Sequence, residues 1–333
     1  MVLPDEGRDD VVSFHAAARA AAPRLVCILS ENHTLVPPRD LPAVVAIAVE
    51  AERAGFDAVM ASEHIVLGHG SDAKGRPANP RDYALPGNQD PTTPWPSSLL
   101  LLAAVAAVTE RVRLVASAVI PPLRHPLLIA KELATLDLLS RGRLVVQPTV
   151  SWHRSEYEAM GVPFASRGER LDEHLAAWEV LWRQGPSTFR GRHYRFEDMF
   201  LEPKPFRHDG PRMWFGGARL HTRLLGRLVR HGHGFNPLGR PSDEELERLR
   251  GAFAAAGRDV GGLEFVGGVR GRFPDETSVA SVDEGLATIP EQLARGFTTI
   301  CVKPSQFTDV PGEIPSLLRR IVDRVAAVRD PSP

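Results

Sequence analysis

The chain has 333 residues, 43% of them apolar, with a formal net charge of −1; this supports a sizeable core and excludes a disordered chain or an electrostatic footprint for nucleic acid. Its longest apolar run, Leu99 to Val108, is ten residues, against the roughly 20 that a membrane-spanning helix needs. The N-terminal MVLPDEGRDD lacks an apolar signal core, and Cys27 and Cys301 sit in apolar strand-like runs, so the expectation is a cytoplasmic protein with reduced thiols and no membrane partner.

From residue 24 onward the apolar pattern keeps changing period. RLVCILS (24–30) reads as a buried strand, and LPAVVAIAVEAERAG (41–55) as a helix with apolar positions three and four apart and a glycine stop. FDAVM (56–60), PSSLLLLAAVAAVTE (96–110), RVRLVASAVI (111–120), HPLLIAKELATLDLLSRG (125–142) and RLVVQPTV (143–150) repeat the alternation. A helix from Arg167 to Trp182, then PRMWFGG (211–217), LHTRLLGRLVRHG (220–232), HGFNP (233–237) and SDEELERLRGAFAAAG (242–257) continue it. LEFVGGVRG (263–271), SVDEGLATIPEQLARG (281–296), FTTICVKP (297–304) and EIPSLLRRIVDRVAAV (313–328) close the series.

Eight such strand–helix units predict a single (β/α)₈ barrel over 24–330, with 1–23 as a poorly ordered extension. A doubly wound sheet is the alternative, but the turn after its first strand, SENHTLVPPRD (30–40), has no glycine. Two long connections interrupt the rhythm, 67–96 with six prolines and 183–211, giving insertions after strands two and four. The first leaves strand two directly, so it is expected on the C-terminal face, where barrel enzymes keep their chemistry, as a loop shaping the substrate pocket.

Polar residues gather at the strand exits. They are Glu31, Asn32 and His33; Ser62, Glu63 and His64; Pro122, Arg124 and His125; Thr149, Ser151, Trp152 and His153; Gly216, Gly217 and Arg219; and Asn236. His231 and His233 precede strand six and so fall on the opposite face, which leaves no metal site at the exits. No GxSxG, CxxC or P-loop is present. A polar rim with a Gly-Gly pair and few nucleophiles suits a bound cofactor that carries the chemistry.

Several segments carry a resemblance. TERVRLVASAVIPPLRHPLLIAKELATLDLLSRGRLVV (109–146), SWHRSEYEAMGVPFASRGERLDEHLAAWEVLWR (151–183), GFDAVMASEH (55–64), LEPKPF (201–206) and PRMWFGGA (211–218) resemble the bacterial luciferase-like flavin and coenzyme F420-dependent oxidoreductases over about 24–328. The resemblance implies a (β/α)₈ barrel and, by family habit, a homodimer. It also implies a catalytic pair His64 and Glu63, with His64 moving a proton beside the cofactor ring. It implies a cofactor site from Ser62, Ser117, Ala118, Thr149, Val150, Ser151, Gly216, Gly217 and Ala218, with a non-prolyl cis peptide at Ser117–Ala118. The substrate side is expected at His33, Arg124, Trp152, His153 and Asn236. Where relatives read GxGxGW after strand four, this chain reads Gln147, Pro148, Thr149, Val150, Ser151, Trp152. The main expectation is hydride transfer between coenzyme F420 and a small organic substrate. The alternatives are an FMN-dependent monooxygenase using reduced flavin and O₂, and a noncatalytic flavin- or ligand-binding barrel, to which the Gln147-Pro148 change points.

Overall fold

In a computed structural model the described residues are 23–183 and 185–329; residues 1–22 of the expected extension lie outside them. The strands are β1 (Arg24–Ile28), β2 (Ala58–Ala61), β3 (Arg113–Val119), β4 (Leu144–Pro148), β5 (Ser187–Arg190), β6 (Arg195–Met199), β7 (Arg212–Gly217), β8 (Gly234–Pro237), β9 (Glu264–Gly268) and β10 (Thr299–Val302). Helices α1 (Leu41–Ala54), α2 (Ser98–Val108), α3 (Pro126–Leu139), α4 (Arg154–Ala159) and α5 (Arg167–Arg183) occupy the first half. The second half has α6 (Thr222–His231), α7 (Asp243–Ala255), α8 (Val282–Leu286), α9 (Ile289–Ala294) and α10 (Ile314–Arg329).

All the strands except β5 and β6 close into a parallel barrel in the order β1-β10-β9-β8-β7-β4-β3-β2. This is the expected (β/α)₈ fold. Two details differ from the sequence reading. The single helix expected over 281–296 is two helices, because Pro290 at the start of α9 lacks the N–H that a continuous helix would use and its ring crowds the preceding turn. The connection 183–211 contains an antiparallel ribbon, β5 with β6. It lies between α5 and β7 and therefore belongs to the approach to the N-terminal end of the barrel.

Alternation along each strand separates two cores. Val26, Ile28, Ala58, Met60, Val115, Val145, Trp214, Val266 and Cys301 form the cluster inside the barrel. Their neighbours Cys27, Val59, Leu114, Val146, Phe215, Phe265, Ile300 and Val302 join the cluster under the helices, as a period of two requires. The bottom of the barrel is closed by charge. Arg113 donates to both oxygens of Glu264 at 2.6 and 3.0 Å, Thr299 donates to Oε2 at 3.1 Å, and Arg24 lies 3.3 Å away.

Candidate functional site

Carrying the inward register one step above the core brings Ser30, Ser62, Ser117, Gln147, Gly216, Asn236 and Lys303 to the C-terminal mouth. Three of them form a band. Gln147 Oε1 accepts from Ser117 Oγ at 2.9 Å and from Asn236 Nδ2 at 2.8 Å. Gly216 makes room for this: a Cβ there would stand 1.9 Å from the Asn236 carbonyl oxygen and 3.0 Å from Gln147 Nε2. The glycine is therefore required by the approach of β8 and by the Gln147 bridge. Asn236, expected on the substrate side, is committed to the same bridge through its amide nitrogen.

The Ser117–Ala118 peptide is cis, as the resemblance implied. The pairing register of β3 with β4 shifts between Ser117 and Val119, so the backbone bulges at this point.

The exit of β2 carries the titratable centre. Ser62 N donates to Ser30 Oγ at 2.7 Å, which fixes the turn leaving the strand. His64 follows, with Trp95 edge-on at 5.4 Å and 69° and Trp152 edge-on at 5.9 Å and 81°. Its Nδ1 faces Oε2 of Glu156 at 3.2 Å. Glu156 is wholly buried and also accepts from Ile65 N at 2.6 Å and from Ser151 Oγ at 3.3 Å. Ser151 reaches it from a left-handed backbone, φ 56°, and its own amide turns back to Thr149 Oγ1 at 3.4 Å. Val150 is used through its carbonyl, which accepts from Tyr157 Oη at 2.5 Å. Trp152 stacks at a tilt on His153, 4.9 Å between ring centroids, and His153 Nε2 accepts from Gly68 N at 2.8 Å. Burial, above all, holds His153 below the usual imidazole range, which suits a ring that accepts at Nε2.

Glu63 and Arg124 sit differently from the expectation. Both oxygens of Glu63 are gripped by Arg124, at 2.7 and 3.1 Å, and Ser98 Oγ donates to the same carboxylate at 2.9 Å. The guanidinium expected to meet substrate is thus engaged beneath the rim, and the acid next to His64 in sequence is not its partner. Helix α2 begins at the serine that completes this cluster.

The connection 67–96 crosses the mouth and is tied down on its far side. Asn79 Nδ2 donates to the carbonyls of Asp275 and Ser278 at 3.0 and 2.8 Å, and Arg81 grips Asp309. Tyr83 donates to the Val269 carbonyl at 3.3 Å and packs on the inner barrel cluster. Lys303, buried at the end of β10, donates to the Asp82 carbonyl at 3.0 Å. Burial pulls Lys303 below and pushes Glu31 above their ordinary ranges. His33 lies nearby with Nε2 buried and unpartnered, its ring held low first by burial and then by Lys303.

A hollow opens at the C-terminal ends of β7 and β8, bordered by Gly217, Ala218, Arg219, Leu238, Gly239 and Arg240. A Cβ at Gly217 would meet only Leu224 at 3.4 Å and the Arg219 carbonyl oxygen at 3.8 Å, so no packing need accounts for that glycine. Open backbone beside an arginine fits the phosphate of a flavin nucleotide. The Glu245 carboxylate that borders the hollow is occupied by Leu220 N at 2.8 Å and Ser242 N at 3.1 Å. Among the described residues no group of three or more His, Cys, Asp or Glu is arranged to hold a metal ion. No described helix is long and apolar enough to cross a membrane.

Glu156, Trp95, Gln147 and the loop residues Tyr83 and Arg81 are the site residues that sequence reasoning missed. Only Gln147 left a trace, as the departure from the family's glycines.

Residues 23–277 match the family described as luciferase-like monooxygenase. The chain belongs to that family. It is 31% identical over 186 residues to an FMNH₂-dependent dimethylsulfone monooxygenase of Pseudomonas putida, covering 55% of this chain and 45% of that protein. The match thus spans under half the length of that relative. It is 33% identical over 220 residues to an uncharacterised protein of Mycobacterium tuberculosis, covering 64% of this chain and 74% of that one. In fold it is similar to a monooxygenase from Streptomyces bottropensis (TM-score 0.69, 21% identity, 90% and 98% coverage). An F420-dependent secondary alcohol dehydrogenase is similar as well (TM-score 0.68, 15% identity, 92% and 99% coverage).

Proposed function

We propose that this protein is a monooxygenase that uses reduced FMN and dioxygen to oxygenate a small organic molecule, with His64 moving the proton at the reacting centre. The observation that carries the reading is the place of His64. It stands at the β2 exit, edge-on to two tryptophans, on the same barrel mouth as the β3 bulge and the Gly217 hollow. When bound, reduced flavin supplies the two electrons that let dioxygen give one atom to substrate and the other to water. Gly217, Ala218 and Arg219 would hold its phosphate, and the backbone at Ser117 and Ala118 would support its ring. Trp95, Trp152 and the 67–96 connection would exclude water and shape the substrate side, and an imidazole is suited to give or take the proton.

The expectation of coenzyme F420 gives way to flavin here. A named relative is FMNH₂-dependent, whereas the F420 enzyme is alike at 15% identity, which speaks for the fold alone. A noncatalytic barrel loses its motive as well, because Gln147 is tied laterally to Ser117 and Asn236 and acts as part of the mouth's framework. A dimer in cytoplasm remains part of the proposal. The support for the dimer is the uncharged α2, on which Leu100 is 74% exposed, and the neighbouring α3, on which Leu128 and Leu139 are 56% and 59% exposed.

The test is to feed the purified protein reduced FMN from a separate reductase, under isotopically labelled dioxygen, with a panel of small sulfones, ketones and pyrimidines. Incorporation of one labelled oxygen atom into a product is expected. Oxidation of reduced F420 with no labelled product from the flavin reaction would overturn the reading.

A further inference from the structure

We propose that Glu156 is the positioning residue for His64, fixing the hydrogen on Nδ1 so that Nε2 is the atom that gains and loses the proton; this rests on the reading of His64 as the proton-transfer group. Glu156 is 0% exposed and comes from α4, 92 positions away in sequence. Its Oε1 is taken by the Ile65 amide at 2.6 Å. Its Oε2 faces His64 Nδ1 at 3.2 Å and Ser151 Oγ at 3.3 Å. A carboxylate only accepts hydrogen bonds, so the ring nitrogen that faces it must carry a hydrogen. The lone pair of the neutral ring is then on Nε2, on the side away from Glu156.

The rest of the surroundings agree with this assignment. Trp95 and Trp152 meet the ring edge-on and hold its plane. The neighbouring acid, Glu63, is filled by Arg124, Ser98 and the Ile120 amide at 3.3 Å. Ser151 has the smaller part of sharing Oε2 and keeping the carboxylate turned toward the ring.

In Glu156→Gln the single oxygen is drawn to the Ile65 amide, and the new NH₂ group faces Nδ1. The ring should then accept at Nδ1 and carry its hydrogen on Nε2, the wrong tautomer for taking a proton there. Nitrogen NMR of the full-length protein, at alkaline pH where imidazoles are neutral, reads this directly. The His64 signal is identified by its loss in His64→Ala. The parent should show the Nδ1–H form and Glu156→Gln the Nε2–H form. Turnover in Glu156→Gln should fall at least about tenfold, since losing an acid that sets a catalytic histidine's tautomer costs up to about 10⁴, while flavin affinity stays within a few fold. An Nε2–H signal in the parent overturns the proposal without need of a variant. If His64→Ala is inactive while Glu156→Gln keeps the parent tautomer and rate, the assignment of Glu156 alone fails. If His64→Ala turns over at the parent rate, the reading of His64 fails and this assignment with it.

Discussion

Arg124 and Glu63 face each other as two parallel N–H···O bonds, 2.7 and 3.1 Å long, with the Glu63 side chain 1% and the Arg124 side chain 15% exposed. The pair joins the exits of β2 and β3 under the rim on which His64 stands. Breaking it by Arg124→Met leaves a buried carboxylate with only Ser98 and the Ile120 amide, and removal of one partner from such a pair costs about 3–5 kcal/mol. The prediction is a loss of that order in denaturant unfolding. Most of it should return in the double variant Glu63→Leu with Arg124→Met. A single variant as stable as the parent would show that the pair does not hold the rim.

His64→Ala should keep flavin affinity within a few fold and lower turnover by about 10²–10⁴, the range for losing a general acid or base. Among the described residues the ring makes edge contacts with Trp95 and Trp152 and one bond to Glu156, so its removal should leave the fold in place. Equal steady-state rates in variant and parent would remove His64 from the chemistry.

The connection 67–96 should move as one piece when its far anchor is cut. Arg81 grips Asp309, 228 positions further along, and Asn79 and Tyr83 add bonds to loop and strand carbonyls. In Arg81→Ala, amide hydrogen exchange across 79–83 should quicken by about tenfold or more, since local opening follows the contacts that oppose it. The substrate KM should rise more than the flavin Kd. Unchanged exchange and kinetics would mean that the other anchors suffice.

How far the sequence was legible follows from periodicity. The barrel strands are buried on both faces and read as apolar runs, and the register of Val115, Val145 and Trp214 points onward to Ser117, Gln147 and Gly216. The β5–β6 ribbon left no such mark, because most of its residues are exposed or half-buried and need no apolar alternation. Glu156 sits in the first turn of α4, where an acid is ordinary. Only the packing of α4 under the β2 exit makes it the partner of His64. The bonds of Arg81 and Lys303 join segments more than two hundred positions apart, beyond the reach of local pattern. The resemblance implies a pair of Glu63 with its sequence neighbour His64, whereas the fold pairs Glu63 with Arg124, 61 positions away.

His174 should make stability depend on pH. It is buried between the Arg170 and Arg124 carbonyls, with ring nitrogens at 2.7 and 3.1 Å from them. Burial, partly opposed by those carbonyls, brings its pKa down to about 4 from 6.5. The unfolded chain therefore binds a proton that the folded chain refuses between these values. Stability should be full above about 6.5 and fall as pH drops toward about 4, by on the order of 3 kcal/mol. His174→Gln should flatten that slope in denaturant titrations at several pH values. A variant with the parent's slope would place the acid sensitivity elsewhere.

The barrel mouth should receive reduced flavin. Anaerobic titration of the full-length protein with FMNH₂, followed by equilibrium dialysis, tests it without knowledge of the substrate. One equivalent should bind per chain with a Kd on the order of 1 μM, about −8 kcal/mol. Affinity should be weakened about tenfold or more in Gly217→Val, which fills the open backbone at the hollow, and be nearly unchanged in His64→Ala. Absence of FMNH₂ binding, with reduced F420 retained in a parallel titration, would contradict it.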